Sequence, residues 1–274
     1  MTAIVEPVPR GALARRVGRH VGDWIPAAVV FGLGLAAWQW LVPAVGIQSF
    51  LLPRFSAVAT TFWDERTALK DAGWFTFKEA LGGYAIGCIA AILFAVVVGR
   101  FRRLGTALMP IAIAANAVPI IAFAPITNAW FGALNPRSKM AIAAILCFFP
   151  VMVNTLRGLM SVRPQQLELM RSYATGELTV FWRVRAPTAL PFLFTALKVA
   201  TVLAMIGAIV GDYFGGTSEA LGQQIRSSVG VSQFEYAWAA IMVASLLGLA
   251  FYAAVATVER LALRWHPSTR ATGE

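Results

Sequence analysis

The ionisable side chains best placed to act on another molecule lie in one polar stretch between two long apolar segments. This stretch, residues 162–190, is called the basic loop. Its charged residues are Arg163, Glu168, Arg171, Glu177, Arg183 and Arg185. Pro164, the Thr175-Gly176 pair and Pro187 predict two short helices that interrupt the long helices on either side. The apolar residues predict a stripe along each short helix, formed by Leu167, Met170 and Ala174 and then by Leu178, Phe181 and Trp182, which are expected to face inward.

The spacing within the basic loop resembles the cytoplasmic signature of the permeases of binding-protein-dependent ABC importers. That signature is Glu-Ala-Ala, three residues, Gly, nine residues and Ile-x-Leu-Pro. The corresponding residues here are Glu168-Leu169-Met170, Ala174, Val184 and Ala186-Pro187. Ala174 departs from the glycine of the pattern. The similarity extends from Gly82 to Ile225 and is greatest to the nitrate, sulfonate, taurine and thiamine-precursor branch.

The resemblance implies that the loop docks onto an ATPase. The residues expected at that contact are Glu168, Met170, Arg171, Tyr173, Ala174, Gly176, Val184 and Pro187. It also implies two ATPase subunits that bind ATP and Mg, a second permease copy, an extracytoplasmic solute-binding protein and no cofactor in this chain. The alternative is that the loop is only a solvated connector with the positive charge typical of cytoplasmic loops.

Composition predicts an all-α protein with about six transmembrane helices. Hydrophobic residues make up 58% of the 274 residues, charged residues 13%, and the mean hydropathy is +0.69. The net charge of +10 does not indicate nucleic-acid binding, because the basic residues lie mostly between apolar spans. Fifteen Lys and Arg fall on one side of the predicted bilayer and six on the other, which places both termini in the cytoplasm.

This topology divides the chain into a cytoplasmic segment (1–23), a transmembrane permease domain (24–261) and a cytoplasmic tail (262–274). The predicted spans are approximately Trp24–Val45, Phe75–Gly99, Thr106–Phe131, Met140–Met160, Pro191–Phe214 and Phe234–Leu261. Between the first two spans, Val58, Phe62 and Leu69 predict a short amphipathic helix outside the membrane. Pro110, Pro119 and Pro125 predict that the third span is broken. The resemblance implies a bacterial cytoplasmic (inner) membrane.

Polar residues within the spans are candidates for a translocation path. We predict this role for Asn116, Asn128 and Asp212, although packing and capping are alternatives for each. Lys198 is expected to extend toward the cytoplasmic loop. Glycines at four-residue spacing predict close helix packing, at Gly83 and Gly87 and again at Gly207, Gly211 and Gly215.

Several kinds of chemistry find no support in the sequence. The Gly-x-x-x-x-Gly-Lys-Ser/Thr phosphate-binding motif does not occur, so ATP is expected to bind a separate chain. Paired carboxylates, a nucleophile motif and metal-ligand spacing are also lacking, which predicts no catalytic residues and no metal. The alternative to an ABC permease is an ion-coupled secondary transporter, which would need an ionisable residue in mid-membrane and an internal repeat. A small sulfonate, nitrate or pyrimidine-type vitamin precursor is the expected solute.

Overall fold

The computed structural model describes residues 11–115 and 118–263, with side-chain surroundings for all of these except 11–24, 102 and 120. Over these ranges the chain forms helices joined by turns, and it contains no strand. The helices are α1 (Gly11–Ala44), α2 (Phe55–Asp64), α3 (Arg66–Gly99), α4 (Arg102–Ala115), α5 (Phe123–Phe131), α6 (Pro136–Met160), α7 (Pro164–Ser172), α8 (Glu177–Val180), α9 (Ala186–Gly215), α10 (Leu221–Gly230) and α11 (Phe234–Ala262).

Five helical segments are long and apolar enough to cross a membrane. They are Ile25–Ala44, Arg66–Gly99, Pro136–Met160, Glu177–Gly215 and Phe234–Ala262. The predicted all-α membrane fold is therefore confirmed, and the third span is broken, as predicted.

The third predicted span is two separate helices, α4 and α5. Gly105, at the start of α4, lies against Met160 at the inner end of α6, whereas Asn128 of α5 contacts Gly215 at the outer end of α9. The α4–α5 segment thus passes from one end of the bundle to the other, and a 3₁₀ turn (Ile120–Ala122) precedes α5.

Helices α3, α6 and α9 form the centre of the bundle and meet through small residues. A Cβ atom at Gly83 would lie 2.5 Å from Ala143 Cβ, and one at Gly207 would lie 2.8 Å from Ala143 Cα. The residues at this interface with no exposed surface are mostly alanines: Ala80, Ala91, Ala95, Ala143, Ala200, Ala204 and Ala208. Such residues let helix backbones approach closely, so dispersion contacts can hold the helices together where lipid offers no hydrophobic driving force.

The N-terminal part of the bundle differs from the predicted boundaries. Helix α1 begins at Gly11 rather than Trp24. Residues 1–10 of the predicted segment 1–23 and residues 264–274 of the predicted tail 262–274 lie outside the described residues. Helix α2 is the predicted amphipathic helix, with Val58 buried. Leu69 belongs instead to α3, which begins at Arg66 and not near Phe75. At 1.5 Å per residue α3 is about 50 Å long, so its first turns extend beyond a hydrocarbon core of about 30 Å.

The prolines at the end of the basic loop do not interrupt a helix, which corrects the prediction made from them. Helix α8 continues through a π-helical turn, Phe181–Arg185, directly into α9. The N–H of Ala186 bonds to the carbonyl of Phe181, five residues back. This wider turn accommodates the ring of Pro187 and its missing N–H. The hydroxyl of Thr188 donates to the Val184 carbonyl at 2.7 Å.

Candidate functional site

The basic loop is a pair of short helices at the inner end of the bundle. Pro164 occupies the first helical position of α7, where a missing N–H costs nothing. Helix α7 ends at Ser172, and a turn closed by the Thr175 hydroxyl on the Met170 carbonyl (2.7 Å) leads to α8. The predicted helix pair is thus present, although the second helix merges with α9.

Ala174 lies in the left-handed backbone region, with φ of +50°. It stands where the importer signature has glycine, the residue that adopts positive φ without steric cost. A residue with a Cβ costs roughly 1–2 kcal/mol in this conformation. Alanine in place of the glycine of the signature therefore raises the energy of the turn but leaves its backbone geometry unchanged.

The apolar side chains of the basic loop point largely into solvent. Leu178 is 72% exposed and Trp182 is 66% exposed, so the prediction that they face inward is wrong. Of the residues predicted to contact an ATPase, Glu168, Arg171, Tyr173, Ala174 and Gly176 are exposed, and Met170, Val184 and Pro187 are half-buried. No residue of α7 is buried. The helical pattern predicted two apolar stripes, and the described chain leaves most of that apolar surface uncovered.

Two larger grooves border the basic loop, besides a smaller one that contains Glu168 and Arg171. One, of about 660 Å³, separates α8 and the π-helical turn from the inner end of α3 and is lined mainly by apolar residues, among them Phe101, Leu178 and Trp182. The other, of about 460 Å³, lies between α7 and the start of α9 and includes Met170 and Pro187. Glu177 joins the loop to α3 through Arg100 (3.8 Å) and also lies 3.9 Å from Arg185. These exposed ion pairs contribute little energy.

Charged residues form a second group at the outer end of the bundle. This outer cluster consists of Thr76 and Glu79 of α3, Lys139 of α6 and Asp212 of α9, and none of the four is more than 3% exposed. The Thr76 hydroxyl donates to Asp212 Oδ2 at 2.7 Å and accepts from the Leu221 N–H at 2.9 Å. The outer cluster therefore connects all three central helices with α10.

The positive charge of Lys139 balances the carboxylates of the outer cluster. Its ammonium donates to the carbonyl oxygens of Ala133 and Gly215, the latter at 2.7 Å, and it attracts both carboxyl groups. The Glu79 and Asp212 carboxyl groups also interact electrostatically with each other. Glu79 Oε2 and Asp212 Oδ1 have no N–H or O–H donor in the described part of the chain.

Sequence reasoning found only Asp212 of this group. Lys139 was assigned to an outer turn, yet it is 1% exposed. The signal for Glu79 was its place within an apolar helix, where an ionisable residue is costly without a partner. Its partners are separated from it by 60 residues or more along the chain, so they could not be recognised by local spacing.

The residues predicted to line a path occupy three different settings. Asp212 is fully buried among partners of its own chain. Asn128 is half-buried beside Gly215, with its Nδ2 3.5 Å from the Phe214 carbonyl. Asn116 lies outside the described residues. Their contact with solute stays a prediction.

The glycines predicted to pack lie at close contacts between helices. Gly83, Gly87 and Gly207 face Ala143 or Ala144 of α6, Gly211 faces Lys139, and Gly215 faces Asn128. A side chain at Gly83, Gly87 or Gly207 would require the backbone of α6 to shift, whereas the nearest atoms at Gly211 and Gly215 belong to side chains.

Lys198 pairs with a different region from the one predicted. Its ammonium lies 2.6 Å from the Glu259 carboxylate of α11, and both side chains are about one-fifth exposed. The predicted pairing with the cytoplasmic loop is therefore wrong, and the pair instead joins α9 to α11. Within the described residues, no group of three or more His, Cys, Asp and Glu side chains is placed to hold a metal ion.

Comparison with known proteins gives three findings. The family model described as "Binding-protein-dependent transport system inner membrane component" matches residues 83–264, which include the basic loop. The formylaminopyrimidine transport permease protein ThiX of Halalkalibacterium halodurans is 35% identical over 84% of this chain and 92% of its own length. The riboflavin transport system permease protein RibX of Chloroflexus aurantiacus is 31% identical over 88% of this chain and 90% of its own length.

A solved structure shares the fold. It is a crystal structure of an amino acid ABC transporter with histidines, and the match has a TM-score of 0.58. The match covers 73% of this chain and 97% of the solved chain at 18% sequence identity.

Proposed function

The chain belongs to the family of binding-protein-dependent transport system inner membrane components, the permease subunits of ABC importers for small solutes, and on that premise we propose its assembly and mechanism. It is a multi-pass protein of the cytoplasmic membrane. In the proposed assembly, two copies enclose one solute path, and an external binding protein delivers the solute. Two ATPase subunits bind the basic loops and hold ATP and Mg, so that this chain contains no cofactor and performs no hydrolysis.

The proposed contact with the ATPase is supported by the exposure of the basic loop. Leu169, Tyr173, Leu178 and Trp182 are each more than half exposed on a pair of short helices. Contiguous apolar surface of this kind marks a protein contact. An exposed helix with apolar anchors suits insertion into a groove of a partner.

A continuous helix connects the basic loop with the outer end of the bundle. The segment Glu177–Gly215 runs without interruption from the loop to the outer cluster, where it carries Asp212. Movement of the ATPase subunits would therefore displace both ends of α9 together. The Lys198–Glu259 ion pair would carry α11 along with it. ATP then drives the change of access because the ATPases bind the two conformations with different affinities.

A flat nitrogen heterocycle is the proposed solute. The ThiX and RibX relatives are named for formylaminopyrimidine and riboflavin, and both match more than four-fifths of this chain. Both compounds contain a pyrimidine-type ring. We therefore favour a heterocyclic vitamin or vitamin precursor over a sulfonate or nitrate.

The proposal is tested with the chain reconstituted in lipid nanodiscs together with the ATPase and binding protein that co-purify with it. The binding protein is screened for thermal stabilisation by riboflavin, an aminopyrimidine, taurine and nitrate. We expect stabilisation by one of the heterocycles, and we expect ATP hydrolysis to rise when that loaded protein is added.

Stabilisation by taurine or nitrate alone would contradict the proposed solute and leave the assembly intact. A chain that purifies without an ATPase, and whose uptake in vesicles survives ATP depletion, would contradict the assembly. That second result would favour the ion-coupled secondary transporter.

A further inference from the structure

Helix α10 begins without a cap of its own. It is the external helix between α9 and α11, and the residue before it, Ala220, has no side-chain oxygen to accept from the first N–H groups. Leu221 and Gly222 at its start are buried. Unpaired N–H groups at a buried helix end are costly, so their partners have to come from elsewhere in the chain.

The outer cluster provides those partners. The Thr76 hydroxyl accepts from the Leu221 N–H at 2.9 Å and donates to Asp212 Oδ2 at 2.7 Å. The backbone of Gly222 also packs directly against the Asp212 side chain. A carboxylate at a helix N-terminus interacts favourably with the helix dipole. Thr76, held in place by Asp212, thus acts as the capping residue of α10, although it belongs to a different helix.

Close packing fixes the position of this contact. A Cβ atom at Gly222 would lie 2.6 Å from Asp212 Cβ and 2.8 Å from the Tyr213 backbone nitrogen. The first turn of α10 therefore rests directly on the last turns of α9. Any rotation of α10 would break the bond to Thr76 and the packing against Asp212.

The opposite face of α10 is polar and exposed. Arg226, Ser227 and Val229 are exposed, with Arg226 Nη1 3.4 Å from the Tyr213 carbonyl, and Glu219 precedes the helix. This composition suits a soluble protein partner better than lipid, because a charged residue in hydrocarbon is costly. The face lies on the outer side of the membrane, where α9 ends and α11 begins.

We propose that Thr76 and Asp212 are positioning residues. Together they form a cap for α10 from other helices, and this cap orients the exposed face of α10 so that the binding protein can bind to it. This inference rests on the proposed function. Because α9 also continues into the basic loop, the same cap links the ATPase contact to the surface that receives the solute.

The test uses the complete importer complex with three variants of this chain. Thr76→Val removes the hydroxyl at nearly constant volume, and Thr76→Ser retains it. Thr201→Val is the matched control, because Thr201 is equally buried but its hydroxyl bonds only within its own helix, to the Lys198 carbonyl. Amide hydrogen exchange is measured over α10, and ATP hydrolysis is measured against the concentration of loaded binding protein.

Loss of a helix cap predicts about tenfold faster exchange in the first turn of α10 for Thr76→Val. The apparent KM for the loaded binding protein should rise about fivefold, while hydrolysis without that protein stays unchanged. Thr76→Ser and Thr201→Val should match the wild type in both measurements. Asp212→Asn keeps an acceptor for Thr76 but removes the charge, and it should accelerate exchange by a smaller factor.

Unchanged exchange in Thr76→Val, or equal acceleration in Thr201→Val, would overturn the cap. Faster exchange of α10 with an unchanged KM would overturn its role in receiving the binding protein. If no binding protein stimulates the wild-type complex, the proposed function fails, and the exchange data still decide whether the cap exists. Should Thr76→Val not assemble, the comparison of Asp212→Asn with Thr201→Val decides the same question.

Discussion

The outer cluster buries charged side chains, whereas the basic loop exposes apolar ones. In the outer cluster Lys139 and Asp212 are at most 1% exposed and find their partners on neighbouring helices of the same chain. In the basic loop Tyr173 is 71% exposed and Leu178 is 72% exposed. The exposed apolar side chains there have no cover among the described residues.

The chain provides partners for the buried charges of the outer cluster by itself, but it leaves the apolar surface of the basic loop for a partner protein to cover. Buried charges without partners are strongly destabilising, so the outer cluster has to be satisfied inside the subunit. Exposed apolar residues cost the isolated chain little, because they are equally exposed in the unfolded state. The residues of the basic loop can therefore suit the binding of a partner at little cost in stability, whereas the buried residues of the bundle have to stabilise the fold.

The largest effect is expected at Lys139. Lys139→Met leaves two buried carboxyl groups without their counter-charge and should destabilise the bundle by about 3–5 kcal/mol. Lys70→Met, at an exposed position of the outer part of α3, is the control and should have little effect. Thermal unfolding of the purified chain in detergent measures both. If the two variants are equally stable, buried Lys139 contributes no more to stability than an exposed lysine does, which would contradict this account of the outer cluster.

A smaller effect is expected where the bundle meets the basic loop. A Cβ atom at Gly158 would lie 2.8 Å from Ala189 Cα, whereas one at Gly176 in the loop would have no atom within 4 Å. Gly158→Ala should therefore cost about 1–3 kcal/mol through overpacking. Gly176→Ala should leave the unfolding temperature nearly unchanged. The comparison shows whether the close packing continues to the inner end of the bundle and stops at the loop.

Removing apolar surface from the loop should barely alter stability. Trp182→Ser truncates a side chain that is 66% exposed, and the expected change is within about 0.5 kcal/mol. Phe251→Ser, which truncates a buried aromatic residue of α11, is expected to cost several times more. A large loss of stability in Trp182→Ser would show that the loop is part of the core, which would contradict the view that its apolar side chains do not stabilise the bundle.

The smallest effect is a gain within the turn of the basic loop. Ala174→Gly places at φ of +50° the residue that tolerates it best. The relief of about 1–2 kcal/mol of strain is partly offset by the greater flexibility of glycine in the unfolded chain. A net stabilisation below about 1 kcal/mol is therefore expected from denaturant unfolding. A clear destabilisation would contradict the left-handed conformation.

The sequence was sufficient for the class of fold and for the location of the basic loop. These follow from hydropathy and from turn residues such as Pro164, both of which are local signals. The predicted glycine positions also coincide with close contacts between helices.

The errors have physical causes as well. Pro187 and Pro191 indicate a helix break by their own chemistry, but the π-helical turn at Phe181–Arg185 accommodates them. Trp182 was expected to face inward because an apolar residue usually does, yet a protein that binds partners keeps such residues exposed. The outer cluster depends on contacts such as Thr76 to Asp212, residues 136 positions apart, which no local pattern contains.

The most direct test of the proposed mechanism is retention of the ATPase when the charge of Glu168 is reversed. Glu168→Arg and the control Arg226→Glu both change an exposed residue, the first in the basic loop and the second on the external helix α10. After gentle detergent extraction, we expect Glu168→Arg to retain at least about tenfold less ATPase than the wild type, with normal insertion in the membrane. Arg226→Glu should retain the full amount. Normal ATPase retention and normal uptake in Glu168→Arg would contradict the role assigned to the basic loop.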